Sequence, residues 1–168
     1  PGYLPERILA FVRQQGKTVS AILLTHGHFD HVGGVRKIAE ETGCHVYLRE
    51  EEKTLPSFMT AGELYSTHGY SDAVTVAGLT FTVLHTPGHT PGSVCLICQD
   101  AIFAGDTLFA GSCGRTDFSG SDPAKMKESL QRLYALPGDY RVFPGHGEDT
   151  TLQYEREYNP YMRAMSLS

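Results

Sequence analysis

Apolar residues along the chain alternate between helical and strand spacing, with turn residues punctuating the runs. Leu4, Ile8, Phe11 and Val12 share one face at helical spacing; Pro5 suits a first turn and Gly16 stops the run, which predicts a helix over residues 4–15. Residues 19–25 form a short apolar run expected as a buried strand, and residues 26–34 a turn-rich loop. Residues 35–42 read as a helix stopped by Gly43, and 44–48 as a strand. Residues 49–67 are poorly patterned, apart from a short acidic helix expected at their start. Residues 73–76 and 79–85 flank a turn at Gly78, and 94–98 and 101–104 flank Gln99-Asp100, which predicts two hairpins. Asp122-Pro123 is an N-cap followed by Pro at the first helical position, and Met126, Leu130, Leu133 and Tyr134 continue an amphipathic helix to Pro137-Gly138. Residues 141–143 read as a last strand, and the charged, Tyr-rich tail from Thr150 as helical. The order is mixed α/β, with no internal linker or repeat, so residues 1–168 are expected to form a single domain.

Composition narrows the function classes. The net charge is −5 and no Lys/Arg run exceeds two, which argues against a nucleic-acid binder. Apolar runs are too short to span a bilayer, and no basic stretch followed by an apolar one opens the chain, so a cytoplasmic protein acting on a small molecule is expected. The four Cys (44, 95, 98 and 113) are read as reduced thiols. Cys95 and Cys98 sit on opposite faces of a predicted strand, as small core residues rather than a redox pair.

Glycine and histidine stand out, at 18 and 8 residues. Thr25-His26-Gly27-His28-Phe29-Asp30-His31 follows an apolar run, and three His and one Asp so close together would repel or desolvate one another without a bound cation. His89 in Pro87-Gly-His, Asp106 in Phe103-Ala-Gly-Asp and His146 in Phe143-Pro-Gly-His also follow apolar strands, so all can project from one sheet edge. Seven ligands suit two divalent metals: His26, His28 and His89 for one, Asp30, His31 and His146 for the other, and Asp106 as a bridge. Imidazole and carboxylate fit zinc first, with iron and manganese as alternatives. A shared water, acidified by the metals, would supply hydroxide near neutral pH. Asp106 and Asp30 are then the catalytic carboxylates, Asp30 as a proton acceptor.

The H-x-H-x-D-H loop with its downstream His, Asp and His resembles the metallo-β-lactamase-fold superfamily, from Pro1 to about Tyr161. The resemblance implies a four-layer αββα sandwich with the metals at one edge of two sheets. It also implies N-terminal strands ahead of Pro1-Gly2, lying outside this sequence or donated by another chain. Gly105-Asp-Thr-Leu-Phe-Ala-Gly-Ser-Cys-Gly-Arg-Thr-Asp117 and Val142-Phe-Pro-Gly-His-Gly-Glu-Asp-Thr150 look closest to glyoxalase II (hydroxyacylglutathione hydrolase) and its single-domain relatives. That likeness implies thioester or ester hydrolysis, with Arg115 binding substrate; the residue reading alone leaves an Arg115–Asp117 ion pair as an equal alternative. Asp117 and Gly147 stand where that family places Tyr, so the thiol carrier stays open. Persulfide dioxygenases share the framework and a similar Gly-Arg-Thr-Asp segment, which implies the alternative of one iron on His26, His89 and Asp106. A lactonase or other small-ester hydrolase on the same centre is the third reading. His85 reads either as a brace for His89 or as a packed strand residue.

Overall fold

The computed structural model describes residues 1–60 and 62–164. The chain opens with α1 (Pro5–Gln14), which ends at Gly16 with a left-handed φ of 60°. It continues through β1 (Ala21–Leu23), a one-turn helix α2 (Phe29–Val32), α3 (Val35–Thr42) and β2 (His45–Tyr47). β1 and β2 pair in parallel, as strands joined by a crossover helix must. Two 3-10 turns, Glu50–Thr54 and Ser57–Met59, follow.

Then come β3 (Ala73–Val76), β4 (Leu79–His85), β5 (Val94–Cys98), β6 (Ala101–Gly105), a small hairpin β7 (Leu108–Phe109) and β8 (Ser112–Cys113), α4 (Pro123–Tyr134), β9 (Arg141–Pro144), β10 (Thr150–Thr151), α5 (Leu152–Tyr158) and α6 (Pro160–Arg163). The six-stranded sheet runs β10-β9-β6-β5-β4-β3, and β6–β9 is its one parallel pair. Both expected hairpins form; Ala77 and Gly78 turn the first at φ 51° and 77°, the left-handed geometry that two-residue hairpin loops favour. Asp122 caps α4 as expected, its Oδ1 accepting the Ala124 and Lys125 amides at 2.9 and 3.1 Å.

Three apolar clusters separate four layers. Leu9, Val35, Ile38 and Ala39 of α1 and α3 pack on Ile22 and Val46 of the small sheet. Val74, Val83, Val94 and Leu96 meet Leu23, Tyr47 and Tyr70 between the sheets. Cys95, Ile102, Ala104 and Val142 pack under Met126, Leu130, Leu133, Leu152 and Met162 of α4–α6. The order is therefore the αββα sandwich expected from the sequence. β5 is covered on both faces, so Cys95 and Cys98 point opposite ways and are both buried; all four Cys are free.

The differences from expectation are local. The first strand is three residues rather than seven: pairing with β2 begins at Ala21, and at the other end the Thr25 carbonyl turns to accept the Val94 amide of the larger sheet. The loop at 26–34 contains α2, held by the His31 and Val32 amides on the His28 carbonyl. The tail begins with the two-residue strand β10, which extends the sheet beside β9 before α5 starts. No helix among the described residues is long and apolar enough to cross a membrane.

Candidate metal centre

Strand direction explains how distant residues meet. β4 and β6 both run antiparallel to β5, and β9 runs parallel to β6, so the C-terminal ends of β4, β6 and β9 share one edge. Those ends release His89, Asp106 and His146, while β1 releases His26, His28, Asp30 and His31. All seven expected residues come together there. Ligand atoms of His26, His28 and His89 lie within 4.8 Å of one another, as do those of Asp30, His31 and His146, and those of His26, His31 and Asp106. Asp106 is central: its carboxylate lies 3.4 Å from His31 Nε2, 3.4 Å from His89 Nε2 and 3.5 Å from His146 Nε2. Asp30 Oδ2 lies 3.0 Å from His146 Nε2. The His26, His28, His89 and Asp106 end is buried, Asp30 and His31 are half-buried, and His146 is exposed at the mouth.

The polar atoms here fit a cation. His26 Nε2, His28 Nε2 and Asp106 Oδ1 are buried without a hydrogen-bond partner, an arrangement that costs free energy unless something else binds them. His28 Nδ1 and His89 Nε2 face each other at 2.9 Å. Burial, reinforced by neighbouring imidazoles, holds His26 well below its ordinary pKa and pushes His28 down to about 4. Burial also lowers His31, against the pull of Asp106 and Asp30. These rings are thus held in the neutral form that binds metal. Burial raises the Asp106 carboxyl, and the surrounding histidines pull it back down.

Close backbone approach shapes the site. A Cβ on Gly145 would fall 2.1 Å from Asp106 Oδ1 and 2.8 Å from His31 Cε1. A Cβ on Gly105, whose φ is +50°, would fall 2.6 Å from the Thr25 side chain.

Supporting contacts hold the ligand loops. His89 Nδ1 lies 2.9 Å from the Arg115 carbonyl; donating there leaves Nε2 its lone pair for a metal. His85 Nε2 pairs with the Pro91 carbonyl at 3.0 Å, so it braces the His89 loop. The sequence reading missed Glu52, which is fully buried on the first 3-10 turn. Its Oε2 accepts the Gly27 amide at 2.6 Å and its Oε1 the Gly92 amide at 2.7 Å, tying the two histidine loops together. Burial raises its carboxyl, and the bonds from Thr90, Gly27 and Gly92 favour its ionised form. Three consecutive Glu (50–52) carry no signal that singles out the inward one.

A cleft of about 620 Å³ opens over the cluster, with His28, His89, Asp106 and His146 in its floor and Phe29, Phe58, Met59, Phe109 and Phe118 in its walls. Arg115 stands at its rim and donates from Nε and Nη2 to the two Asp117 oxygens at 2.9 and 2.8 Å, stacked over Phe118 at 4.4 Å.

A metallo-beta-lactamase superfamily model matches residues 1–146. The probable metallo-hydrolase YqgX of Bacillus subtilis is 33% identical, covering 99% of this chain and 87% of its own length. A hydroxyacylglutathione hydrolase of Idiomarina loihiensis is 40% identical over 81% of the chain, which spans only 50% of that protein. Among solved structures, the BLEG-1 B3 metallo-beta-lactamase superposes with a TM-score of 0.90 at 33% identity, covering 96% of this chain and 86% of the other. A di-iron-bound form of TTHA1623 gives 0.83 at 39%, with coverage of 96% and 86%. ETHE1 from Myxococcus xanthus gives 0.78 at 29%, with coverage of 96% and 74%. With a His/Asp cluster able to hold metal at the shared edge of an αββα sandwich, the chain belongs to the metallo-beta-lactamase superfamily.

Proposed function

We propose that this protein is a binuclear metal hydrolase, zinc-dependent, that cleaves a thioester or ester. The observation that carries the reading is the buried, unpartnered set of His26, His28 and Asp106 atoms under an open cleft. His26, His28 and His89 would hold one ion, Asp30, His31 and His146 the other, and Asp106 would bridge them. Metals bound there bring the pKa of water toward neutrality and polarise a carbonyl oxygen.

The chain's own groups do the rest. The cleft floor holds the scissile carbonyl against the three-histidine end. Water oxygen adds to the carbonyl carbon, the C–S or C–O bond breaks, and a carboxylic acid and a thiol or alcohol leave. Asp30, partly open to solvent beside His146, takes up the proton that water loses and releases it to the departing sulfur or oxygen. A thiolate is a good leaving group near neutral pH, so a thioester needs no strong general acid. Buried Asp106 fixes its distances to His31, His89 and His146.

A second reading, iron-dependent persulfide oxidation, draws on the likeness to ETHE1 and to the di-iron form of TTHA1623. It would use His26, His89 and Asp106 as ligands, and Asp106 does approach His89 at 3.4 Å. Metal analysis of protein purified without added metal separates the two. About two zinc ions per chain, with thioester turnover lost on chelation, is the expected result. About one iron with little zinc, and oxygen uptake with a persulfide, would replace the hydrolytic reading.

A further inference from the structure

The cleft over the metal site is walled more by aromatic rings than by charge. Phe58 is 79% exposed, Phe29 48% and Phe118 37%, and Phe109 and Met59 complete the same wall. Large apolar side chains held open to water beside a reactive centre mark a surface that gains by being covered. The wall is continuous with the reacting atoms: the Phe118 ring lies edge-on to His28 at 5.7 Å and to His89 at 6.0 Å, and Phe109 lies 6.3 Å from His146.

Charge points the same way. Among the described residues that line the cleft, Arg115 is the one Lys or Arg. Its Nε–Nη2 edge is engaged by the Asp117 carboxylate and one face by the Phe118 ring. A substrate carboxylate reaching that edge would have to displace Asp117, and Asp30 and Asp117, which also line the cleft, set negative charge against an anionic acyl group. The Phe118 end adjoins the histidines assigned to the carbonyl, so a substituent on the carbonyl carbon lies within reach of the rings.

We infer that this protein acts on thioesters or esters of uncharged, apolar acyl groups, seated between Phe58, Phe29 and Phe118, and not on anionic acyl groups clamped by Arg115. The inference rests on the hydrolytic reading of the same site. A binding series keeps the two separable. Ketones in which a methylene replaces the thioester sulfur, carrying acetyl, butanoyl, hexanoyl, octanoyl and succinyl groups, are titrated calorimetrically into the protein with its native metal, alongside turnover of the matching thioesters and oxygen esters. Affinity should rise about threefold or more per added methylene while the cleft fills. The butanoyl analogue should bind tighter than the succinyl one. Phe58→Ala, at an exposed position outside the three apolar clusters, should weaken the octanoyl analogue several-fold and leave the acetyl analogue unchanged, with Phe58→Leu restoring most of the loss.

Affinities flat from acetyl to octanoyl, or a succinyl analogue that outbinds butanoyl, would overturn the inference whether or not turnover is seen. A rising binding series with no turnover of any matching thioester or oxygen ester would support the apolar site and defeat the hydrolytic reading alone.

Discussion

Glu52 Oε1 accepts the amide hydrogen of Gly92 at 2.7 Å, inside the protein and far from either residue's neighbours in sequence. Its other oxygen takes the Gly27 amide, so one carboxylate sets the spacing between the loops that carry His26, His28 and His89. Glu52→Gln replaces one acceptor by a donor and leaves one amide facing an N–H group. Such a loss costs roughly 1–3 kcal/mol. Thermal melting should show that loss, and titration of the metal-free protein should show weaker metal binding. Unchanged metal affinity in a destabilised variant would mean that Glu52 supports the fold without positioning the loops.

Gly145→Ala tests the close approach at the Asp106 carboxylate. The new methyl group would overlap Asp106 Oδ1 and press on His31 Cε1. Metal content and turnover should fall together, while far-ultraviolet circular dichroism stays native. Full metal occupancy would show that the Pro144–His146 turn moves aside more easily than the packing implies.

Asp117→Asn should free the Arg115 guanidinium. Both side chains are largely exposed, so solvent screens the pair, it contributes little to stability, and the melting temperature should barely move. The freed cation should lower KM for a carboxylate-bearing thioester by a few-fold and leave a neutral one unaffected. An equal effect on both substrates would argue that Asp117 orders the loop and does not mask Arg115.

Acid should weaken the metal-free protein. His28 is held at about 4 when folded, against 6.5 when free. Between those values the unfolded chain binds a proton that the folded chain refuses, so stability falls as pH drops through that window. His26 and His31 act in the same direction. The raised carboxyls of Asp106 and Glu52 act oppositely, gaining stability as pH falls through their folded values. With three histidines against two carboxyls, the apo protein should melt at lower temperature near pH 5 than near pH 7. A higher melting temperature at the acid end would contradict neutral, buried imidazoles.

Chelation tests the same atoms from the other side. Removing metal leaves His26 Nε2, His28 Nε2 and Asp106 Oδ1 buried and unsatisfied, so the melting temperature should drop and recover when zinc is restored. Asp106→Ala should bind less metal and gain little from added zinc. Equal melting temperatures with and without metal would remove the case for a built site.

Much of this site was legible because its chemistry follows apolar strands. His89, Asp106 and His146 each come just after a run such as Val142-Phe143, and strand direction alone then delivers them to one edge. The long elements were equally plain, since α4 and the hairpins carry both a period and a turn signal. Short elements escaped. α2 is four residues long, too few to show a helical period, and β7 and β8 have two residues each. Glu52 escaped for another reason: its role depends on amides at Gly27 and Gly92, and a pattern of side chains says nothing about where backbone amides point.

The parallel pairing of β6 with β9 has a consequence for the order of assembly. Parallel neighbours cannot close through a tight turn, and here the β7–β8 hairpin and α4 lie between them. The entropy of closing so long a loop is lost before the pairing repays it, which makes this step slow. During synthesis His26, His28, His89 and Asp106 all emerge before β9 brings His146. The buried half of the centre is therefore chemically complete while its mouth is still being made. Under the two-metal assignment, a nascent chain stalled ahead of Arg141 would carry the three-histidine end without His146, so metal supply during folding would become a kinetic variable in the yield of complete sites.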